Sequence, residues 1–347
     1  MIKKIQQDFS YYSHEFKDNY RKGVHRLRTI LASRAQAQAF VSNAGGTAVV
    51  LGYEPSAPDK NAQELYALLT ASPYIDDAVQ TFLGSIYEAG AESQDAMYSD
   101  SARCLEILHD PVMARAAGAG AVSAGKWIAA LAGQSCNLYR DMNAVAASDI
   151  AMTAVAASET AMEAVISGTI ALNAVAASKT AMTAVAANET AMAAVAASRV
   201  AMSAIIGNST ALNAVVTSSV AMAAIIGNST ALNAVVSSQT AMAAIAASQT
   251  AMAAIAASTT ALDAIYAKKK RMSGASASLS GKFIILQISN DNAFDTSRYG
   301  YATLSDGSKP KWDSYKDKYA YFKQYKKIAT YMKNDTDSDD WIDYFQC

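Results

Sequence analysis

The chain has 347 residues, a formal net charge of −1 and a hydrophobic fraction of 52%, which is enough for two or three ordinary domains. The near-neutral charge argues against a general nucleic-acid binder, because such proteins carry a clear excess of cations. Cys104, Cys136 and Cys347 form neither a metal-ligand spacing nor an even disulfide set, so they are expected to be free thiols in a protein assembled in a reducing cytoplasm.

Neither a secretion signal nor a membrane span is predicted. The sequence begins MIKKIQQDFSYYSHEF, with charges where a signal peptide has its apolar segment. The most apolar later stretch, 112–133, is interrupted by Arg115 and Lys126, so no membrane insertion is expected.

Residues 1–140 are predicted to form a helical region for attachment. In residues 1–40, aromatic and aliphatic residues recur every three or four positions, as on the apolar face of a helix. These residues are Phe9, Tyr12, Phe16, Tyr20, Val24 and Leu27. The opposite face is basic and is either solvated or docked on an acidic partner. Its residues are Lys3, Lys4, Lys17, Arg21, Lys22, Arg26 and Arg28.

The rest of this region divides by its Gly and Pro content. Residues 42–60 contain both and are predicted to be a loop or an extended arm. Helices are expected over 61–141, with a break at Ser72–Pro73. The small residues of 116–127 would suit close backbone packing around a symmetry axis.

Residues 141–270 consist of thirteen ten-residue copies, beginning DMNAVAASDI and AMTAVAASET and ending ALDAIYAKKK. Each copy is called a decad, and its residues are numbered 1 to 10. Position 2 is always Met or Leu, position 4 is Ala and position 5 is Val or Ile, whereas positions 3 and 9 vary among mostly polar residues. Such a period identifies a repeat architecture, and its Ala, Met and Leu content favours helix.

One unbroken helix is a strained solution for this repeat. Ten residues turn through ~1000°, about 80° short of three turns, so equivalent residues would spiral around the helix. Position 8 is Ser, Asn or Gly in the first twelve copies, and these residues are preferred at helix N-caps. We therefore expect short helices, each restarted by a cap, with one tightly supercoiled coil as the alternative. The candidate caps are Ser158, Asn188, Asn208, Asn228 and Ser248.

The decads are expected to bury positions 1, 4, 5 and 10 on one face. The residues singled out for core packing are Met152, Val155, Met182, Val185, Leu212, Val215, Met242 and Ile245. Because two-turn helices are unstable alone and an Ala-rich copy buries little area, we expect identical chains around a common axis, in a homotrimer.

A flexible link over 271–281 is predicted to join the decads to a compact tip over 282–347. The segment KFIILQIS (282–289) predicts a strand, 305–310 a turn, 313–333 a helix or mixed edge, and WIDYFQC (341–347) a closing strand. The fold class is thus mainly α: an elongated homotrimeric fibre with a helical anchor, a shaft of helical decads and a small mixed α/β tip.

The decads followed by the KFIIL strand and the YATLSDGS segment resemble fibre proteins of tailed bacteriophages over roughly 141–310. This resemblance implies an elongated, usually trimeric virion fibre that is made in the host cytoplasm and attached to other virion proteins through its N-terminal region. It also implies a tip that meets a host surface glycan or outer-membrane protein. The alternatives are a collar, whisker or baseplate fibre without receptor binding and, in another class, a cellular adhesin.

Chemistry-bearing motifs are sparse, so no enzyme, no cofactor and no metal site are predicted. Asp335, Asp337 and Asp339 alternate as at the start of a calcium loop, but Asp340 stands where that loop needs Gly. Aromatic residues among the lysines of the tip form a candidate contact surface, with core packing as the alternative. Its residues are Tyr299, Tyr301, Trp312, Tyr315 and Trp341.

Overall fold

The computed structural model describes residues 2–17, 20–54, 56, 60–87, 93–274, 277–289, 300–312, 318–334 and 341–347. These residues are mainly helical, with a small antiparallel sheet towards the C-terminus. The chain divides into an N-terminal unit, Met1–Val185, and a C-terminal unit, Ala186–Cys347.

Ten helices precede the decads. They are α1 (Ile2–Lys17), α2 (Tyr20–Ala32), α3 (Arg34–Val41), α4 (Ala44–Leu51), α5 (Lys60–Thr70), α6 (Ile75–Ile86), α7 (Gln94–Tyr98), α8 (Ser101–His109), α9 (Pro111–Ala117) and α10 (Ala121–Leu131). The amphipathic stretch predicted over 1–40 thus comprises three helices, and the chain breaks between α5 and α6, around Ser72–Pro73, as predicted.

The loop or arm predicted over 42–60 is wrong for its first half, which forms α4. Asn43 caps this helix by accepting a hydrogen bond from the Gly46 backbone N–H. Gly45 and Gly46 are buried, and a Cβ at Gly45 would overlap the Phe9 backbone nitrogen of α1. The glycines that suggested a loop instead allow two helices to approach closely.

The small-residue tract 116–127 packs closely within one chain. A Cβ at Gly125 in α10 would overlap the backbone where Asp141 joins Met142, at the start of the first decad. A Cβ at Gly120 would overlap the Asp76 carboxylate. These contacts explain the glycines without a symmetry axis.

Each decad forms one short helix. The helices are α11 (Met142–Ala147), α12 (Asp149–Ala157), α13 (Glu159–Ser167), α14 (Thr169–Ala177), α15 (Lys179–Ala187), α16 (Glu189–Ala197), α17 (Arg199–Ile206), α18 (Ser209–Thr217), α19 (Ser219–Gly227), α20 (Ser229–Val236), α21 (Gln239–Ala247), α22 (Gln249–Ala257) and α23 (Thr259–Tyr266). The chain bends by 101° between α12 and α13, and by 100° between α16 and α17. This excludes the continuous supercoil.

Every third decad helix packs side by side. In the N-terminal unit α11 contacts α14, and in the C-terminal unit α16 contacts α19 while α19 contacts α22. Three bends of this size bring the fourth helix alongside the first, so a turn of the array contains three decads. The apolar contacts that were expected from sister chains are therefore supplied within one chain.

In the part of the chain that the structure describes, no single helix combines the length and the apolar content needed to cross a membrane. Five pairs of successive decad helices meet that test together, by length and composition only, and each pair is bent by more than 40°.

The tip contains a six-stranded antiparallel sheet and one helix. Its elements are β1 (Lys270–Ser273), β2 (Ser278–Ser289), β3 (Gly300–Leu304), β4 (Lys311–Trp312), α24 (Ala320–Tyr325), β5 (Ala329–Lys333) and β6 (Trp341–Gln346). The strand order is β1-β6-β2-β5-β3-β4. Phe283, Ile285, Ile288 and Met332 lie in its buried core, which explains the apolar run of the predicted strand.

Two strands occupy most of the segment 271–281, which was predicted to be a flexible link. Arg271, Met272 and Ser273 pair with β6, and β2 begins at Ser278. The predicted turn over 305–310 is confirmed and contains Gly307 at φ 82°, and the closing strand is confirmed as β6.

Candidate functional site

The five candidate caps act as helix caps in the structure. The side chains of Ser158 and Ser248 accept hydrogen bonds from backbone N–H groups three residues later, at 3.2 Å. Asn188 accepts one such bond at 2.9 Å. Asn208 and Asn228 each accept two, from the second and third residues after them. The cap thus satisfies N–H groups that the first turn of a helix leaves without partners.

The eight residues predicted to pack the decad core are buried. Met152, Val155, Met182 and Val185 lie in the N-terminal unit, and Leu212, Val215, Met242 and Ile245 in the C-terminal unit, all at most 4% exposed. Position 1 is also buried in every copy from Ala151 onward. Its invariant Ala has the smallest side chain that still favours helix.

Position 10 does not join the buried face that the sequence predicted for it. Ile150 is 73% exposed and Val200 is 64% exposed. Position 6, which the prediction overlooked, is buried in most copies, as at Ala156 and Val216. The face towards the array is therefore formed by positions 1, 2, 5 and 6. Val or Ile at position 6 in five of the thirteen copies was the available signal.

Some cap residues also join successive turns of the array. The Ser178 hydroxyl donates to the Ala146 carbonyl in the N-terminal unit, and the Ser248 hydroxyl donates to the Val216 carbonyl in the C-terminal unit, both at 2.5 Å. Ser218 makes the same bond to Ala186. A serine at position 8 can therefore accept from its own helix and donate to the helix three decads before it.

The last decad helix joins the sheet through a buried carboxylate. Asp343 of β6 is fully buried and accepts hydrogen bonds from Arg271 Nε at 2.7 Å and Nη2 at 2.9 Å. Its Oδ2 also accepts from the Tyr266 hydroxyl at 3.0 Å. Hydrogen bonding to this carboxylate raises the pKa of the Arg271 guanidinium. Such geometry holds two elements in a fixed relation.

A second tyrosine strengthens this junction. The Tyr319 hydroxyl donates to Asp263 Oδ1 at 2.5 Å, and its ring lies edge-on to Tyr266 at 5.8 Å between centroids. Burial raises the pKa of Tyr319, and the hydrogen bond to Asp263 adds to this effect. Tyr319 has φ 67°, a conformation that non-glycine residues rarely adopt. Asp263, at position 3 of the last decad, thus binds a residue of the tip.

The predicted tip contact surface is only partly described. Tyr299 and Tyr315 lie outside the described residues, and of Trp312 only the backbone is described, in β4. Tyr301 is half-buried beside Tyr331, with 5.8 Å between ring centroids, and Trp341 is half-buried under the Arg271 guanidinium at 3.7 Å. The two described side chains thus take part in contacts within the tip.

No group of three or more His, Cys, Asp or Glu in the described part of the chain could hold a metal ion. The acidic residues Asp335, Asp337 and Asp339 lie outside the described residues. Burial raises the pKa of the Cys104 thiol to about 12, which keeps it protonated and unreactive at neutral pH.

Comparison with family models and with curated proteins finds no match to this chain.

Proposed function

We propose that the chain is a structural fibre protein of a tailed-bacteriophage virion. It is attached through residues 1–140 to other virion proteins, and it presents residues 282–347 to the host surface. The proposal is supported by the resemblance of the decads and the following strand to phage fibre sequences. It is also supported by the contacts of the helix caps and of the Asp343 junction, which hold helices and strands together as a mechanical role requires.

The observation that carries the proposal is the repeated geometry of the decads. Each copy is a capped helix that packs on the third helix along, and position 8 bonds successive turns at Ser178 and Ser248. With packed helices 8–10 Å apart, each decad adds about 3 Å to such an array, against ~15 Å along a straight helix. Within each unit, every additional decad therefore lengthens the stack of helices, which is the regular growth that a spacer needs.

The homotrimer is proposed on the resemblance alone. The apolar positions 1, 2 and 5 are buried within one chain, so burial no longer gives a reason for sister chains. Chains that associate along the decads would meet through the exposed positions 3, 7 and 9, which are small or polar, and through exposed residues at position 10 such as Ile150 and Val200. Three tips held together would act through avidity, since linked weak contacts reinforce one another.

A collar, whisker or baseplate fibre that binds no receptor is the second candidate. It is favoured by the contacts of Tyr301 and Trp341 within the tip, since these aromatic side chains are partly occupied by Tyr331 and Arg271.

The proposal is tested by locating the chain in purified phage particles by immunogold electron microscopy, and by deleting residues 282–347. Presence in the virion with loss of host adsorption supports the first candidate. Presence with unchanged adsorption supports the second. Absence from the virion contradicts both and leaves the cellular adhesin.

A further inference from the structure

Helix α2 presents a basic face to solvent. Its buried side consists of Gly23, Leu27 and Ile30. Its exposed residues are Lys22, His25, Arg26, Arg28 and Thr29. Residues 19–53 contain no Asp or Glu, so the helix itself is basic, and the nearest acidic residues in the sequence, Glu15 and Asp18, precede it. Ala32 is also exposed, and among the described side chains of α2 the exposed face has no larger apolar residue.

An open pocket of about 230 Å³ lies beside this face, between α1, α2 and α3. Its walls are aromatic rings from Tyr11, Tyr12, Phe16 and Phe40, packed on one another at centroid distances of 5.1 to 5.8 Å. Tyr11 is 54% exposed at the entrance, although it is a large aromatic residue. A rigid aromatic pocket of this size suits one large side chain.

The rim of the pocket places a cation next to the rings. Arg26 lies 3.9 Å from Glu15, and both side chains are well exposed, at 48% and 36%. Such a long, exposed ion pair contributes little stability, so it constrains the guanidinium weakly. Arg26 has five N–H donors and can bind a further carboxylate.

Tyrosine and arginine around a concave site are the residues that dominate protein–protein interfaces. A membrane is disfavoured as the partner because amphipathic membrane helices combine basic residues with large apolar ones, and none of the exposed side chains described over 22–32 is large and apolar. A nucleic acid is disfavoured because the net charge of the chain, −1, lacks the excess of cations that nucleic-acid binders carry.

We propose that the basic face of α2 and the adjoining pocket bind an acidic protein segment. The carboxylates of that segment pair with Arg26 and Arg28, and one aromatic or long aliphatic side chain enters the pocket. This inference adds the chemistry of the partner to the proposed attachment through residues 1–140. It depends on the proposed function only where it identifies the partner as a virion protein.

The test uses the full chain and fluorescein-labelled peptides of about twelve residues. The first peptide is rich in Glu and Asp with a central Trp, the second has Ala in place of Trp, and the third replaces the acids by Gln and Asn. Anisotropy titrations should show the first peptide binding about tenfold more tightly than either of the others, with affinity falling as salt is raised from ~50 to ~300 mM.

Two variants separate the parts of the site. Arg26→Gln with Arg28→Gln removes the charges, and Ala39→Phe fills the pocket that Ala39 lines. Each should weaken the first peptide about tenfold, since each removes one of the two interactions. Lys179→Gln with Arg199→Gln removes two exposed charges from the decads and should leave the affinity within about twofold.

Equal binding of the three peptides, absence of binding, or variants that behave like the control pair would overturn the inference. So would tighter binding of poly(dT) or of phosphatidylglycerol vesicles through the same arginines. The assay contains no phage, so its result stands or fails separately from the location of the chain in a virion.

Discussion

Tyr266, near the end of the last decad helix, donates a hydrogen bond at 3.0 Å to Asp343, 77 residues later in the final strand. The same buried carboxylate receives two N–H groups of Arg271 in the first strand. One side chain thus connects the repeat to both strands at one edge of the sheet. A repeat array needs a cap at its end, and here the tip provides it for the last decad.

Removing the charge of Asp343 should destabilise this junction. Asp343→Asn removes the charge that Arg271 binds and leaves a neutral amide in a fully buried position, at an expected loss of about 1–3 kcal/mol, and Tyr266→Phe should lose about 1 kcal/mol. Because both residues share one network, the double variant should lose less than the sum. Hydrogen exchange of the β6 amides measures each loss. Strict additivity would show that Tyr266 and Asp343 act independently.

Asp306→Asn is the matched control for this charge removal. Asp306 pairs with Lys327 in the same tip, but it is exposed to solvent. Exchange in β6 should be little changed by its loss.

Two serine caps should differ in their contribution to stability. Ser248 caps α22 and also donates a hydrogen bond to the Val216 carbonyl in the preceding turn of the array. For Ser238 the described contact is the cap of α21 alone. Ser238→Ala should cost about 1 kcal/mol and Ser248→Ala about 1 kcal/mol more. Urea denaturation followed by circular dichroism measures both. A larger loss at Ser238 would contradict the role given to the inter-turn bond.

The sequence predicted the decad helices and their caps because these features depend on neighbouring residues. It did not predict that α16 packs on α19, because cap residues show where one helix ends and the next begins but not the angle between them, which is 94° to 102° at five of the caps. The same limit explains α4. Gly45 is a poor helix former locally, and its contact with Phe9 lies 36 positions away in the sequence.

Substitution of Gly45 should be costly because of this contact. The Cβ of Gly45→Ala would overlap the Phe9 backbone and force α1 away from α4, which we expect to lower the free energy of unfolding by about 1–3 kcal/mol. Gly227→Ala is the control, since a Cβ there meets no atom within 4 Å in the described chain. It should be neutral or stabilise by up to about 1 kcal/mol. Thermal unfolding of the two variants measures both changes in stability. An equal loss of stability in the two variants would refute the close approach of α1 to α4.

Asp76 should make stability depend on pH. Its carboxylate accepts a hydrogen bond from the Ser123 backbone N–H at 2.8 Å, but burial raises its pKa above 3.8. Folding therefore favours the protonated form of Asp76. The stabilisation of the folded state that results is complete below pH 3.8 and is lost as the pH rises through the folded-state pKa. The stability of the native chain relative to Asp76→Asn should decline over this range in urea titrations. A difference that rises with pH would contradict the effect of burial.

The stacking of every third decad is tested most directly by an electron spin resonance distance between labels at Ala193 and Ala223, which are exposed and lie in α16 and α19. The labels are placed in a background without Cys104, Cys136 and Cys347, and labelled chains are diluted with unlabelled ones so that only distances within one chain contribute. Packed helices 8–10 Å apart predict a label separation below about 20 Å, whereas thirty residues of continuous helix predict ~45 Å. The shorter distance is expected here, and the longer one would contradict the folding of the decads within a single chain.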